Sequence, residues 1–201
     1  MSRALLRRAF PLIPTHGFTR KTLALSFPNA PLSETAVSAL FGQGDEAPKT
    51  LIRAWMEEGR RQMSVRESPD VLLKRLDWNI PVLPHLKDAF ALLSASSSPF
   101  VPVIDVRPGL QHAISVADEA CHICEPRQNG PVSWYTRRAG IALVYTAAEL
   151  HQLTSPDTAP GFLRQLLKTS LKPAEVVNEL VLFADFAVRG WGGIFRGRGF
   201  Y

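Results

Sequence analysis

The sequence is short of the residues on which several large classes of protein depend. It has two cysteines among 201 residues, Cys121 and Cys124, and two cysteines do not make the disulfide framework of a small secreted domain. We expect neither a secretory signal nor a transmembrane helix, because no apolar run reaches the roughly 20 residues that a bilayer requires. No segment alternates apolar and polar residues as a half-buried strand does. These absences favour an all-α protein.

Acidic residues are missing from both ends of the chain. Five basic residues and no carboxylate precede Glu34, and every charged residue after Asp185 is an arginine. The net charge is +5, and basic ends suit an anionic membrane surface or a nucleic acid. The arginine-rich start is also typical of a mitochondrial transit sequence. Pro11 and Pro14 limit the helix that a transit sequence would form. The other interpretation is that this segment is the first helix of the fold.

The remaining pattern is helical throughout. Apolar residues recur at three- and four-residue spacing, and Gly or Pro separates the segments. Three short helices followed by a longer one predict a helix-turn-helix in front of a helical bundle. We therefore predict one compact domain with three regions. These are a helix-turn-helix-like region at residues 1–63, a helical bundle at 64–171, and an amphipathic helix and tail at 172–201.

The helix-turn-helix raises the question of DNA binding. Thr19 is placed to cap a helix that continues to Leu25, and Ser33 one that continues to Phe41. The candidate recognition helix, residues 33–40, contains no Arg, Lys, Asn or Gln. Base and phosphate recognition need donors of these kinds. We predict no sequence-specific binding to nucleic acid.

The central helical segment is residues 133–153, with Ser133 as its predicted N-cap. Between residues 139 and 148 it is apolar almost all round, which is typical of a core helix surrounded by others. Its first turn combines two aromatic side chains with two cations: Trp134, Tyr135, Arg137 and Arg138. That mixture is typical of a partner-contact patch. The alternative is a Trp that covers the end of the core beside solvated arginines.

The last predicted helix begins at Pro173 and carries one apolar stripe with arginines towards its end. Such a helix fits the interface of a membrane, whereas the alternative is a terminal bundle helix that packs its stripe on the core. The residues predicted to bind membrane are Val177, Leu180, Val181, Phe183, Val188, Trp191 and Phe195.

Few residues offer chemistry. Cys121 and Cys124 have the spacing of a metal or redox pair, and His112 could join them, but a structural zinc site needs four ligands and no second cysteine pair exists. On a helix such thiols are more often small core residues. Glu119 and His122 form one Glu-x-x-His, whereas a di-iron bundle needs two. We predict no catalytic residue, no metal and no cofactor, which favours a protein that is not an enzyme.

Two blocks of the sequence resemble the COQ9 family of ubiquinone (coenzyme Q) biosynthesis accessory proteins. Residues 16–46 begin with HGFT and end with LFGQGDE, and residues 133–150 read SWYTRRAGIALVYTAAEL. With the terminal amphipathic helix these blocks cover most of the chain, and about 64–130 is matched loosely. The resemblance implies a TetR-regulator-like fold in which DNA binding is lost and a hydrophobic ligand pocket is kept.

The resemblance implies a non-catalytic lipid-binding protein, peripheral on the matrix side of the mitochondrial inner membrane. Such a protein binds an isoprenoid lipid or quinone precursor and presents it to the di-iron demethoxyubiquinone hydroxylase. Other coenzyme Q synthesis proteins, the membrane surface and a second copy are its further expected partners. The implied partner-binding residues are Trp134, Tyr135 and Arg138. The implied lipid-binding residues lie in the middle of the second block: Leu143, Val144 and Tyr145.

A second class of function fits the same fold. A TetR-type transcription regulator also joins a helix-turn-helix to a ligand-binding bundle. The donor-poor recognition helix and the interface-like last helix favour the lipid-presenting protein over the regulator.

Overall fold

The computed structural model describes residues 2–27, 30–64, 70–95, 105–124 and 131–170. The regular structure in these ranges is helical, which confirms the predicted all-α class. The TetR-like arrangement remains a prediction. The described α-helices are α1 (Ser2–Ala9), α2 (Ile13–His16), α3 (Arg20–Leu25), α4 (Glu34–Phe41), α5 (Glu46–Ser64), α6 (Val71–Asp77), α7 (Leu83–Ser94), α8 (Arg107–Cys124), α9 (Pro131–Thr154) and α10 (Ala159–Ser170). Short 3₁₀ helices lie at Phe10–Leu12 and Ile80–Val82.

The chain divides into two compact units. Unit 1 contains Met1–Gly59 and Pro81–Asp105, and unit 2 contains Arg60–Ile80 and Val106–Tyr201. Unit 1 therefore holds α1 to α4, most of α5, and α7. Unit 2 holds α6 and α8 to α10.

The core of unit 1 is built around Trp55 of α5. Phe10 meets the Trp55 ring edge to face with the ring centroids 5.3 Å apart, and Phe18 does so at 6.3 Å. Leu51 and Ile52, one turn earlier on α5, are fully buried. Aromatic pairs in this geometry add about 0.5–1.5 kcal/mol beyond the burial of their area.

Two helix starts in unit 1 confirm their predicted caps. The Thr19 side chain accepts a hydrogen bond from the Thr22 amide, and the Ser33 side chain accepts one from the Ala36 amide. Each bond satisfies an amide that has no partner inside the first turn. α4 ends at Gly42, whose φ of 109° lies in the region that favours glycine.

Arg20 of α3 links α3 to α4 and to the turn after α4 through hydrogen bonds. Its guanidinium donates to the Glu34 carboxylate at 2.8 Å and to Ser38 Oγ at 2.6 Å. It also donates to the carbonyls of Gly42 and Gly44, at 3.5 and 3.1 Å. The Arg20 guanidinium, which lies beside the predicted recognition helix, is therefore hydrogen-bonded to groups of unit 1.

Unit 2 is a cluster of helices in which α9 packs against α8, α10 and α6. Its hydrophobic core is well packed, and many of the core side chains are fully buried. These include Leu76, Val116, Ala117, Tyr145, Ala148 and Leu163. α6 also packs against α8 and α10, so all four helices share one core.

One predicted cap in unit 2 is wrong. α9 begins at Pro131, so Ser133 lies within the first turn of the helix and is not its N-cap. Proline suits a first helical position, because its missing amide would have no partner there. Pro108 acts in a similar way in α8, which begins at Arg107 and places the proline where a helix tolerates it.

The predicted terminal helix lies outside the described residues. The seven residues predicted to bind membrane therefore stay a prediction: Val177, Leu180, Val181, Phe183, Val188, Trp191 and Phe195. Among the helices that the structure describes, none is long and apolar enough to cross a membrane.

Candidate functional site

A buried polar network joins α6, α8 and α9 inside unit 2. Arg75 donates to Asn79 Oδ1 at 2.7 Å, and Asn79 Nδ2 donates to Glu149 Oε1 at 2.9 Å. The Tyr145 hydroxyl donates to the same carboxylate oxygen at 2.7 Å. His112 Nε2 lies between the two charges, 3.3 Å from Arg75 Nη2 and 3.5 Å from Glu149 Oε1. Each helix thus contributes at least one group to a single carboxylate.

The surroundings of Glu149 favour its ionised form although the residue is buried. Burial alone would raise the pKa of Glu149, but the charge and hydrogen bond of His112, the charge of Arg75 and the Tyr145 hydroxyl together lower this pKa from 4.5 to about 2. Burial raises the pKa of Tyr145 well above its ordinary value of 10. The carboxylate therefore accepts and the phenol donates at neutral pH.

The network is closed to solvent and is better suited to holding helices than to catalysis. Arg75 is 1 % exposed and Glu149 is 6 % exposed. Gln152 of α9 extends it by donating to the Leu76 carbonyl of α6 at 2.9 Å. A buried ion pair contributes little net stability compared with apolar packing, but removing one partner is costly. The network therefore fixes which groups on α6, α8 and α9 face each other.

The predicted contact patch lies in the first turns of α9. The guanidinium of Arg138 stacks on Trp134, with Cζ 3.3 Å from the ring centroid, and pairs with Asp118 of α8. Tyr135 meets Trp134 edge to face at 4.7 Å and is 68 % exposed. The structure thus brings Trp134, Tyr135 and Arg138 together, with Trp134 half-buried and Tyr135 facing solvent. Their binding of a partner stays a prediction.

An apolar groove of about 170 Å³ opens on unit 2. Its walls come from the start of α6, the end of α8, the first half of α9 and the end of α10. The lining residues are Asp70, Val71, Leu72, Leu73, Ala120, Cys121, Cys124, Arg137, Ile141, Arg164 and Leu167. The walls are mostly hydrocarbon, with Asp70, Arg137 and Arg164 as the charged residues, and a mostly apolar wall with a few polar groups is typical of a small-molecule site.

The two cysteines lie on this groove and are not core residues, contrary to the more common behaviour of helical thiols. Cys121 is half-buried and Cys124 is exposed. Burial raises the pKa of the Cys121 thiol, while the charges of Arg138 and Arg137 and a hydrogen bond to Arg138 oppose this shift. Both cysteines keep this exposure because they line the groove and are not packed into the core of unit 2.

The three residues assigned to lipid by the resemblance lie elsewhere on α9. Val144 and Tyr145 belong to the core cluster of unit 2, and Leu143 is half-buried. None of them lines the groove of about 170 Å³. The assignment of lipid contact to Leu143, Val144 and Tyr145 stays a prediction.

The predicted metal-like spacings are not assembled into a metal site. His112 contacts Arg75 and Glu149, whereas Cys121 and Cys124 line the groove. In the ranges that the structure describes, no group of three or more His, Cys, Asp or Glu side chains is placed to hold a metal ion.

The sequence reasoning missed the buried network. Two features of the sequence could have indicated it. Glu149 is a single carboxylate at the end of a run of apolar residues, and Tyr145 lies one helical turn before it. A charge on an apolar helix face needs a partner, and Arg75 inside the leucine-rich segment of α6 is the matching cation. Spacing within one helix could not reveal a pairing between two helices.

Comparison with known protein families gives a match inside unit 2. The COQ9 family model matches residues 106–170, which contain α8, α9 and α10 and hence most of the groove and the whole patch. The chain is thus an all-α protein in which residues 106–170 are similar to the COQ9 family.

Full-length relatives carry the same name. The chain is 25% identical over 178 residues to "Ubiquinone biosynthesis protein COQ9, mitochondrial" of Bos taurus, covering 81% of this chain and 53% of that protein. It is 25% identical over 135 residues to the Schizosaccharomyces pombe protein, covering 64% and 50%, and 24% identical over 178 residues to the Homo sapiens protein, covering 81% and 53%. The chain spans about half the length of these relatives. The predicted resemblance is confirmed: this chain is a relative of the COQ9 proteins.

Proposed function

We propose that this chain is a non-catalytic lipid-binding protein of ubiquinone biosynthesis. It would bind an isoprenoid quinone precursor at the matrix side of the mitochondrial inner membrane and present it to the di-iron demethoxyubiquinone hydroxylase. The observation that carries the proposal is the apolar groove of unit 2, which lies beside the aromatic–arginine patch. The names of the relatives, which include the word mitochondrial, support the pathway and the compartment.

The groove suits part of such a lipid. An apolar cavity of about 150 Å³ holds a ligand the size of benzene, so a groove of about 170 Å³ has room for a quinone-sized ring or an isoprene unit. The rest of an isoprenoid tail would extend beyond it. Leu72, Ile141 and Leu167 supply hydrocarbon to the walls.

The polar end of the ligand has partners on the same groove. Arg137 and Arg164 both line it, and a guanidinium offers several donors to carbonyl or hydroxyl oxygens. An apolar surface with a few convergent donors fixes the orientation of a ligand. We therefore propose that the ring oxygens face the arginines.

The groove and the patch are directly connected. Arg137 lines the groove, while its neighbour Arg138 stacks on Trp134 in the patch. The charge of Arg138 also acts on the Cys121 thiol of the groove by lowering its pKa against the effect of burial. A partner that binds at Trp134 and Tyr135 would thus lie next to the bound lipid, which is what presentation to an enzyme requires.

Membrane attachment is proposed for residues 173–195. The apolar stripe in their sequence and the basic ends of the chain support it. A regulator that binds DNA has less support, because Arg20 is engaged with Glu34 and Ser38 in unit 1 and residues 33–40 lack donors.

Blocking the groove tests the proposal. Leu167 lines the groove and is half-buried, so Leu167→Trp should fill the space without rebuilding the core. The adjacent Lys168 is exposed, and Lys168→Trp is the matched control. We expect Leu167→Trp to reduce binding of an isoprenoid quinone, measured by native mass spectrometry, by about tenfold or more, or ~1.4 kcal/mol.

The control should bind as the unchanged protein does. Equal lipid occupancy in both variants, with helical circular dichroism unchanged, would contradict the assignment of the lipid to this groove.

A further inference from the structure

The two thiols of the groove share one face of α8. Cys121 and Cys124 are three residues apart in a described helix, and residues at this spacing are neighbours on the helix surface. Both line the groove, and both are free thiols. Cys124 is exposed while Cys121 is half-buried, so Cys124 is the more accessible of the two to reagents.

We propose that Cys121 and Cys124 form a dithiol–disulfide exchange site that reacts with a small acidic disulfide of the oxidised glutathione type. The inference goes beyond the proposed function and uses neither lipid nor protein partner. Arg137 and Arg164 line the same groove together with one acidic residue, Asp70, and the excess of positive charge attracts the carboxylates of such a peptide.

The exchange proceeds in two steps that balance. The Cys124 thiolate attacks one sulfur of the glutathione disulfide, whose S–S bond breaks and releases one glutathione. The Cys121 thiolate then attacks the Cys124 sulfur, forms the internal disulfide and releases the second glutathione. The protein thiols lose two electrons and two protons, and the two glutathione molecules take them up.

The arginines only partly offset the effect of burial on the second thiol. Burial raises the pKa of Cys121, and the charges of Arg138 and Arg137 oppose this shift without reversing it. The half-buried thiol is therefore the resolving group because it is the neighbour of Cys124 on the helix surface. Its raised pKa makes the second step the slower one at neutral pH.

Closing the disulfide changes the groove wall. Neighbouring side chains at this spacing have Cβ atoms about 5–6 Å apart, whereas a disulfide holds them at about 3.5–4.5 Å. Cys124 is the last residue of α8, where the final carbonyls have no partner within the helix. The adjustment can therefore stay within the last turn, and oxidation moves the part of the groove wall formed by Cys121 and Cys124.

The test uses the unchanged protein first. The full chain is incubated with oxidised glutathione, the remaining thiols are alkylated, and the intact mass is measured. We expect the loss of two hydrogens, no alkylation and no retained glutathione. A product with two alkylated thiols, or with glutathione retained on the cysteines, would overturn the proposal.

Three variants sharpen the result. Cys121→Ser should keep one glutathione on Cys124, because the resolving thiol is gone. Cys124→Ser should react several-fold more slowly, since its remaining thiol is half-buried. The double change Ile123→Cys and Cys124→Ser places two thiols on different helix faces and should lose the internal disulfide. An internal disulfide that forms as readily in this control would also contradict the proposed site.

Discussion

Two ion pairs, one in each unit, place their charges in opposite ways. In unit 1 the Arg3 and Glu57 side chains lie at the surface and are 63% and 40% exposed. In unit 2 the Arg75 and Glu149 side chains are 1% and 8% exposed and share a hydrogen-bonded network. Exposed pairs contribute little to stability, whereas a buried pair becomes costly when one partner is lost. The Arg3–Glu57 pair is therefore replaceable, and the Arg75–Glu149 pair is not.

The aromatic side chains differ in the same two regions, but in the opposite sense. Trp55 of unit 1 is buried beneath Phe10 and Phe18. Tyr135 of unit 2 stands in solvent beside Trp134, whose other contact is a guanidinium. In this ion pair and this aromatic cluster, unit 1 has the usual arrangement of apolar inside and charged outside. Unit 2 departs from it twice, and the COQ9 family match lies entirely within unit 2.

The largest expected effect is the loss of a buried partner in unit 2. Glu149→Leu leaves Arg75 buried without its carboxylate and should lower the free energy of unfolding by about 3–5 kcal/mol. Glu57→Leu in unit 1 removes an exposed partner of Arg3 and should cost about 1 kcal/mol or less. Urea denaturation followed by circular dichroism measures both. Similar small losses in the two variants would break the contrast between the units.

The second effect is the response of unit 2 to acid. The pKa of Glu149 is lowered from 4.5 to about 2, so its ionised form stabilises the fold above pH 4.5. This stability is lost as the pH falls towards 2, by about 3 kcal/mol in total. Glu149→Gln should give a flatter profile of unfolding free energy between these pH values. Parallel profiles for the variant and the unchanged protein would show that Glu149 is not the titrating group.

Sequence alone predicted the local features of the fold well. The starts of α3 and α4 were predicted because a capping side chain and its amide lie within three residues of each other. Ser133 failed as a cap because Pro131 starts the helix two residues earlier, and the choice between two adjacent start signals depends on packing. Local rules cannot decide between them.

The site was predicted only where its residues are neighbours on one helix. Trp134, Tyr135 and Arg138 share two turns of α9, so the sequence indicated the patch. The groove is lined by residues of four helices, and the network joins three. Spacing within one segment of sequence does not show which residues of different helices come into contact. Cys121 and Cys124 could be paired from the sequence, but their exposure depends on how α6 and α10 pack.

The third prediction concerns the patch itself. Trp134→Ala should weaken binding of the di-iron hydroxylase by about 2 kcal/mol, or some thirtyfold, as expected for an aromatic hot spot. The stability cost should be smaller, about 1–2 kcal/mol, because Trp134 is half-buried and loses mainly its contact with Arg138. Pull-down and thermal melting measure the two effects. Ala139→Ser, at an exposed position of the same helix, is the control.

Either of two results would contradict the patch. One is unchanged hydroxylase binding by Trp134→Ala. The other is a thermal destabilisation as large as that of Glu149→Leu with binding intact, which would make Trp134 a core residue like Trp55.

The smallest expected effects distinguish the glycines of the two units. Gly42 of unit 1 has a φ of 109°, and a Cβ there would lie 2.8 Å from Glu46 Cβ. Gly42→Ala should therefore destabilise unit 1 by about 1–2 kcal/mol. Gly140 lies inside α9, and a Cβ there would meet no atom of the described residues within 4 Å. Because alanine favours a helix over glycine, Gly140→Ala should stabilise unit 2 by about 0.5–1 kcal/mol. Chemical denaturation of both variants gives the signs, and a loss of stability in Gly140→Ala would mean that this face of α9 is covered in solution.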